Sequence, residues 1–390
     1  MSEMKKSRIL TGNIRQNGML IALLIVVLLF GVLTGGLIFR PLNISNLFMQ
    51  NSYLIFLAIG MFFCILTGNV DLSVGSVVGV SGALLGAMIV QNHMPTWQAV
   101  IITLIAGLLI GAFQGGFIAF LNIPPFIVTL AGMLMFRGLT QWILQGQSLS
   151  PFTDSFQYFA SGFLFPELKV GDINLLCILL WIAASLLLVL SEYRRRLKRQ
   201  KYGFEVGSIY LMIAKLAIAI IAMGFVLIML GKYRGLPFVL VALLVVTLVY
   251  NFISQKTPLG RHVYAVGGNR YAAQLSGVKT KLVMFAVYVN CAFMATIAGI
   301  VVTGRLNVAT AKAGNSYELD AIAACYIGGC AASGGSGKIF GVIIGAAVMA
   351  ILNNGMSIMG IGTDIQQVIK GLILLLAVTF DLTSKAKSGK

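Results

Sequence analysis

The sequence predicts an all-α integral membrane protein, a polytopic helical bundle of about 12 transmembrane segments (roughly 10 to 12), some of them broken or re-entrant. Composition is the first reason: of 390 residues, 58% are hydrophobic and only 10% are charged. A soluble domain carries roughly 25% charged residues, and the mean hydropathy here is +0.95. The second reason is that the basic residues cluster between apolar runs of membrane length. Such a chain cannot cover itself with polar surface, so lipid is its solvent.

The first apolar run, 19–39, contains no charged residue. At about 1.5 Å per residue it reaches roughly 30 Å, the thickness of a bilayer core. A signal peptide would have a shorter apolar core of about 7–15 residues, so we expect a retained first span. The predicted spans in chain order are 19–39, 47–67, 72–91, 98–121, 125–145, 173–191, 208–230, 236–253, 281–303, 317–331, 339–357 and 364–381.

Two of these segments are interrupted. The stretch 47–91 is broken at Gly68-Asn69-Val70-Asp71, and 317–331 is short and begins with Glu318 and Asp320. Either segment can be a half-helix or a re-entrant element, because non-helical backbone at membrane depth is tolerated where protein buries it or where it lines a cavity. Their polar, acidic openings look alike, which is typical of an internally repeated transporter. Chance similarity in glycine-rich membrane sequence is the alternative.

The net charge of +17 follows membrane topology and does not indicate nucleic-acid binding. Basic residues precede the first span, fill the loop at 194–201 and end the chain, as the positive-inside rule describes. We therefore expect a cytoplasmic tail at 1–18, one transmembrane domain over 19–382, and a cytoplasmic tail at 383–390. Both termini and the segment 254–280 are predicted to be cytoplasmic, and 146–172 is predicted to be the main outside loop.

Catalytic chemistry is not indicated. The glycine-rich "GGCAASGGSGKI" (328–339) fails the phosphate-binding loop pattern at two positions. The chain has two distant histidines, and its five cysteines have no metal-binding spacing. We predict no catalytic residue, no metal site and no cofactor bound by this chain, with the cysteines serving as small buried hydrophobes.

Ionisable residues near the apolar runs are few and include Asp71, Arg137, Glu318, Asp320 and Lys370. Most are expected near helix ends, where capping or snorkelling explains them, and Asp71 can cap a helix beginning near Leu72. The functional interpretation is a polar lining for an uncharged polar solute.

The segment "GRHVYAVGGNRYAAQLSGV" (260–278) is short, basic and glycine-punctuated. Asn269 is a good N-cap, 270–276 can form about two turns, and Gly277 can end them. So short a helix is not stable alone, and its small apolar face needs a groove in this chain or in a partner. The alternative is a helix anchored among lipid headgroups by its arginines and tyrosines.

A resemblance to a known protein family favours the interpretation in which the groove belongs to a partner protein. The blocks "GNVDLSVGS", "PPFIVTLAGMLMFRGL", "GRHVYAVGGNRYAAQLSGV", "AGNSYELDAIAACYIGG" and "NNGMSIMGIG" resemble, in order, those of the permease subunit of bacterial ABC importers for monosaccharides. Over about 45–382 the chain is similar to that family, and an extra helix pair at about 173–230 resembles its xylose and multiple-monosaccharide branch. The resemblance implies that 267–278 is the loop that docks on the ATPase.

The resemblance implies a homodimeric permease in the bacterial inner membrane. Its partners would be a cytoplasmic ABC ATPase that uses ATP and Mg²⁺, and an extracytoplasmic sugar-binding protein. The residues expected to couple to the ATPase are Gly267, Gly268, Asn269, Arg270, Ala272, Ala273, Leu275, Ser276 and Gly277. Those expected along the translocation pathway are Asn69, Asp71, Ser73, Phe126, Arg137, Glu318 and Asp320. A branched-chain amino-acid permease and a proton-coupled sugar carrier are the alternative functions.

Overall fold

The computed structural model describes the backbone of residues 2–204, 206 and 208–387. Its long helices are α1 (Ser2–Leu33), α2 (Pro41–Leu66), α4 (Thr96–Ala119), α5 (Pro125–Leu144), α7 (Leu175–Lys201), α8 (Ile209–Tyr233), α9 (Phe238–Lys256), α12 (Thr280–Leu306), α14 (Ile339–Ile358) and α15 (Thr363–Lys387). Its shorter helices are α3 (Val74–Leu85, continued by a π-helical turn at Gly86–Gln91), α6 (Asp154–Ser161), α10 (Pro258–Gly268), α11 (Arg270–Leu275) and α13 (Tyr317–Ile327). Two-residue strands are β1 (Phe163–Leu164), β2 (Lys169–Val170), β3 (Ile173–Asn174) and β4 (Leu236–Pro237).

Within the described residues, nine helices are long and apolar enough to cross a membrane. The first predicted span has a shorter apolar stretch, Gly18–Leu33. Helix α13 has 11 residues and is only about 16 Å long. It cannot cross a bilayer core, so the half-helix interpretation of 317–331 holds. The break after 67 is also confirmed, since no helix covers the stretch between Leu66 and Val74. A total of about 12 crossings stays a prediction.

The central core is built by α2, α3, α12, α13 and α14 around residues such as Leu54, Phe62 and Tyr288. From Leu54 to Leu66 almost every α2 residue is buried, as expected for a helix that is apolar on all sides. Helix α4 packs closely on α12, because Gly111 lies against the backbone of Tyr288 and Val289. A residue without a side chain at this position therefore lets the two helix backbones approach closely.

The bundle has two recognisable ends. At one, which we call the α6 end, α6 packs on the last turns of α12, where Gly304 meets Ala160, and the N–H of Phe238 donates to the carbonyl of Gly162. Antiparallel pairs β1–β4 and β2–β3 lie there too. The other, the α10 end, carries α10 and α11. The predicted outside loop 146–172 thus contains a helix and short strands.

Several predicted boundaries are wrong. The basic residues at 194–201 do not form a loop; they continue α7 to Lys201, where cations stabilise a helix C-terminus. Helix α1 begins at Ser2 and ends at Leu33, so it includes most of the predicted tail 1–18, whose cytoplasmic location stays a prediction. Helix α15 likewise continues through most of the predicted tail 383–390, to Lys387. Residues 388–390 of that tail and the side chains of 2–17 lie outside the described residues.

Candidate functional site

Helices α10 and α11 form a compact projection at the α10 end. Helix α10 begins where Thr257 accepts a hydrogen bond from the N–H of Gly260 (3.3 Å) and Pro258 takes the first helical position, an arrangement that suits both residues. Helix α11 begins where the side chain of Asn269 accepts from the N–H of Ala272 at 2.9 Å. It ends before Gly277, whose φ is +84°. The N-cap and the terminating glycine stand where the sequence predicts them.

Most of the predicted coupling residues are exposed on this projection. Among them, Leu275 is 73% exposed, and the neighbouring Tyr271, which is not one of the predicted residues, is 72% exposed. The other exposed members are Gly268, Asn269, Arg270, Ala272, Ser276 and Gly277. Two members face the other way: Ala273 is buried in the central core, and Gly267 is half-buried. These two residues hold the projection to its own chain and are not available to a partner.

Gly267 lies at a backbone-to-backbone contact that we call the glycine junction, formed by Leu66, Gly267 and Gly335. A Cβ on Gly267 would collide with the carbonyl oxygen of Leu66 and lie 2.8 Å from the nitrogen of Gly335. The N–H of Gly335 in turn donates to the carbonyl of Leu66 at 2.8 Å. The glycine-rich segment that fails as a phosphate-binding loop therefore packs on the end of α2 and on α10.

From the end of α2, the chain runs through the break to a buried polar cluster. Asp71 accepts hydrogen bonds from the backbone N–H (2.9 Å) and the hydroxyl (2.6 Å) of Ser73. The side-chain amide of Gln114 on α4 donates to the same hydroxyl at 2.8 Å. All three side chains are fully buried. Asp71 thus caps the turn before α3, which begins at Val74, two residues later than the sequence suggests.

The first turns of the two interrupted helices meet each other. Gly75 in α3 and Gly314 before α13 are in direct backbone contact, and the carboxylate of Glu318 lies over Gly75. An acidic group is favourable there, because helix N-termini carry partial positive charge. The starts of α3 and α13, which are similar in sequence but far apart in the chain, therefore cross each other inside the bundle. We call this contact among Gly75, Gly314 and Glu318 the crossing.

Arg137 joins this crossing from α5. Its guanidinium donates to the carbonyls of Ala311 (3.1 Å) and Ala313 (2.8 Å), and it interacts electrostatically with Glu318. Arg137 and Glu318 are both half-buried. Exposing a charge to hydrocarbon at this position would be costly in free energy. Water or another protein surface therefore has to cover this side of the crossing.

Asp320, one turn into α13, is paired with Lys370 of α15. The ammonium lies 2.9 Å from a carboxylate oxygen of Asp320, which is 1% exposed. The side-chain amide of Asn353 donates to the same oxygen at 3.3 Å. The pair and this hydrogen bond fix the orientation of the short helix against α14 and α15.

Two of the predicted pathway residues lie apart from these contacts. Asn69 stays at the break, where its amide donates to Thr67. Phe126, at the start of α5, is 58% exposed on the outer surface. Sequence reasoning missed Gln114 and the pairing of Lys370. Each is a lone polar side chain in an apolar run, and that isolation is the one signal that could have identified them.

Comparison with known proteins yields a consistent set of matches. A family model described as "branched-chain amino acid transport system / permease component" matches residues 43–378. The xylose transport system permease protein of Haemophilus influenzae is 40% identical over 375 residues, covering 95% of this chain and 96% of that protein. Its Escherichia coli counterpart is 37% identical over 373 residues, covering 95% and 92%. The ribose import permease protein of Bacillus subtilis is 32% identical, covering 96% and 95%. No solved structure matches the chain significantly.

Proposed function

The chain belongs to this family of transport-system permease components, and we propose that it is the permease subunit of an ATP-binding cassette importer for a monosaccharide, D-xylose or a related pentose or hexose. One observation carries the substrate class: a permease named for xylose is similar to this chain over 95% of its length. The chain is a transport subunit and not an enzyme. The branched-chain amino-acid alternative rests only on the description of the broader family.

We propose that the α10 end faces the cytoplasm of a bacterial inner membrane, with both termini on that side. This orientation places the basic last turns of α7 (Arg194 to Lys201) inside, in agreement with the positive-inside rule. A cytoplasmic ATPase, which binds ATP and Mg²⁺, docks on the exposed face of α11. An extracytoplasmic sugar-binding protein docks on the α6 end.

The contacts support a route from the ATPase to the centre of the bundle. A displacement of α11 moves α10 with it, because only Asn269 separates the two helices. The glycine junction passes that displacement to the end of α2 and to the segment before α14. Both lead directly into the interrupted helices, α2 through the break to α3, and the glycine-rich segment back to α13. Packed backbones of this kind shift as units and do not deform smoothly.

We place the sugar path along the half-buried side of the crossing, where Arg137 and Glu318 lie. A second copy of the chain covers this side and encloses a wet, polar path between the two protomers. Guanidinium and carboxylate groups are good hydrogen-bond partners for sugar hydroxyls. The permease needs only weak affinity along this path, since the binding protein delivers the sugar.

Reconstitution tests this proposal. The permease, its ATPase and its binding protein are placed in liposomes, and uptake of radiolabelled D-xylose, D-ribose and L-leucine is measured with and without ATP. We expect uptake of a monosaccharide that requires ATP and all three components. Uptake of leucine would favour the branched-chain alternative. Uptake by the permease alone, driven by a pH gradient, would instead identify a proton-coupled carrier.

A further inference from the structure

Three potential metal ligands converge where the break leaves α2. The thiol sulfurs of Cys64 (α2) and Cys291 (α12) and a carboxylate oxygen of Asp71 all lie within 4.8 Å of one another. These residues are 0% to 1% exposed. Because they come from three separate segments, their spacing in the sequence gives no sign of a site, and the sequence-based prediction of no metal site did not consider them together.

The cluster holds polar atoms that have no partner. One carboxylate oxygen of Asp71 accepts from Ser73, whereas the other, Oδ2, accepts from no N–H or O–H group, and the Cys291 thiol interacts with this carboxylate. The hydroxyl of Tyr288, which is fully buried and interacts with the same cluster, has no hydrogen-bond partner. Buried polar groups are nearly always satisfied, so two such orphans at one cluster call for an explanation such as a bound ion.

Charge leads to the same conclusion. Among the described residues, the ion pairs are Arg195–Glu192 and Lys370–Asp320, so Asp71 has no cationic side chain as partner there. An uncompensated buried charge costs several kcal/mol. A divalent cation held by Asp71 and two thiolates leaves the net charge of the cluster the same as that of Asp71 alone, but it lies directly against the carboxylate and occupies its unpaired oxygen.

We propose that Cys64, Asp71 and Cys291 bind one thiophilic divalent cation of the Zn²⁺ class. Zinc takes thiolate sulfur at about 2.3 Å and carboxylate oxygen at about 2.0–2.2 Å in a tetrahedron, so its ligand atoms stand about 3.3–3.8 Å apart. That separation is compatible with the observed cluster. Mg²⁺ and Ca²⁺ are excluded as the bound ion because they prefer oxygen donors, and two of the three donors here are sulfur.

Binding releases the two thiol protons, and a carboxylate that is already ionised releases none. The Tyr288 hydroxyl or a water fills the fourth position. The ion reaches the cluster along the break, since Gly68, three residues before Asp71, is exposed. Bound there, it joins α2, the break and α12, and so stiffens the segment that leads into α3.

The test is metal titration of the purified full-length permease, carrying no polyhistidine tag, in detergent under anaerobic conditions. Cd²⁺ serves as the probe because its thiolate complexes absorb in the ultraviolet. We expect about one Cd²⁺ per chain, with competition by Zn²⁺. Cys64→Ser and Cys291→Ser should each weaken binding at least about tenfold, a loss typical of disturbed metal sites. Cys177→Ser, which changes a buried cysteine of α7, is the matched control and should bind normally.

Asp71→Asn keeps the side-chain shape and removes only the charge, so it separates the ligand role from folding. We expect weaker Cd²⁺ binding in a protein that elutes as a single species. Wild-type binding by Asp71→Asn would overturn the three-ligand assignment. So would a thiolate band that survives both cysteine variants, a wild-type protein without the band, or a Cys64–Cys291 disulfide in the protein as purified. None of these readouts depends on transport, so they stand apart from the test of the proposed function.

Discussion

The hydroxyl of Tyr264 in α10 donates a hydrogen bond of 2.7 Å to the carbonyl oxygen of Gly337, just before α14. Burial raises the pKa of Tyr264 to about 12, so the phenol stays protonated and keeps its donor at physiological pH. This bond lies beside the glycine junction. Together they join the projection of α10 and α11 to the loop between α13 and α14.

Tyr264→Phe should loosen that connection and leave the exposed face of α11 unchanged. Losing one hydrogen bond costs about 1 kcal/mol, which is about a fivefold change in an equilibrium constant. We expect normal association with the ATPase and a several-fold fall in sugar transported per ATP hydrolysed, measured in proteoliposomes. In the wild type, the bond is complete below the ordinary tyrosine pKa of about 10 and is lost only as pH rises through about 12. A steep loss of coupling between about pH 6 and about pH 8 would therefore contradict this role.

Gly267→Ala and Gly268→Ala form a matched pair. The added methyl group at Gly267 collides with the Leu66 carbonyl, whereas at Gly268 it meets open space. Forced overpacking of this kind costs about 1–3 kcal/mol. We expect Gly267→Ala to lower the midpoint of thermal unfolding in detergent and to reduce uptake, with Gly268→Ala close to wild type in both. Equal behaviour of the two variants would show that the glycine junction has no role.

Leu275→Asp should abolish docking of the ATPase. Leu275 is 73% exposed, so the free permease tolerates a charge there, but in a docked complex an unpaired buried charge costs several kcal/mol. The expected result is normal permease abundance, no co-purifying ATPase and no uptake. Leu168→Asp, at an exposed leucine (48%) of the α6 end, is the control and should retain the ATPase. If Leu275→Asp still co-purifies and transports fully, α11 is not the docking helix.

The interaction between Asp320 and Lys370 can be measured with a double-mutant cycle. Asp320→Asn and Lys370→Met each leave a buried charge without its partner, at a cost of up to about 3–5 kcal/mol. The double variant removes both charges, so we expect it to unfold at a higher temperature than either single variant. Thermal unfolding of the four proteins, followed by tryptophan fluorescence, gives the coupling energy. Additive losses in the double variant would show that the two residues do not interact.

Orientation is tested by labelling. Gln200→Cys and Gln274→Cys, placed singly in a cysteine-free background, should resist impermeant maleimide added to intact cells and react after the cells are opened. Ser388→Cys, outside the described residues, should do the same if the C-terminus is cytoplasmic. An engineered cysteine at Glu167 in the α6-end loop is the positive control. Rapid labelling of Gln274→Cys from outside would reverse the proposed topology.

The sequence could predict features that depend on local chemistry. The break at Gly68 to Asp71 and the N-cap at Asn269 both follow from rules about neighbouring residues. Pairings between distant segments could not be predicted. Gln114 reaches Ser73 and Lys370 reaches Asp320 only because the helices pack in one particular register, which apolar periodicity does not encode. The same limit hid the meeting of Cys64, Asp71 and Cys291.

Most residues of helices α7 and α8 lie on the surface of the chain. In the apolar 18-residue stretch of each helix, only 6% of the residues are buried. Among the described residues, none of the buried members of the central core lies between Ala160 and Val239, and the pair is attached through a small cluster around Ile44, Cys177 and Leu230. The pair is thus an addition to the perimeter of the protein in the bilayer plane. A lineage could gain or lose it without repacking the interior of the chain.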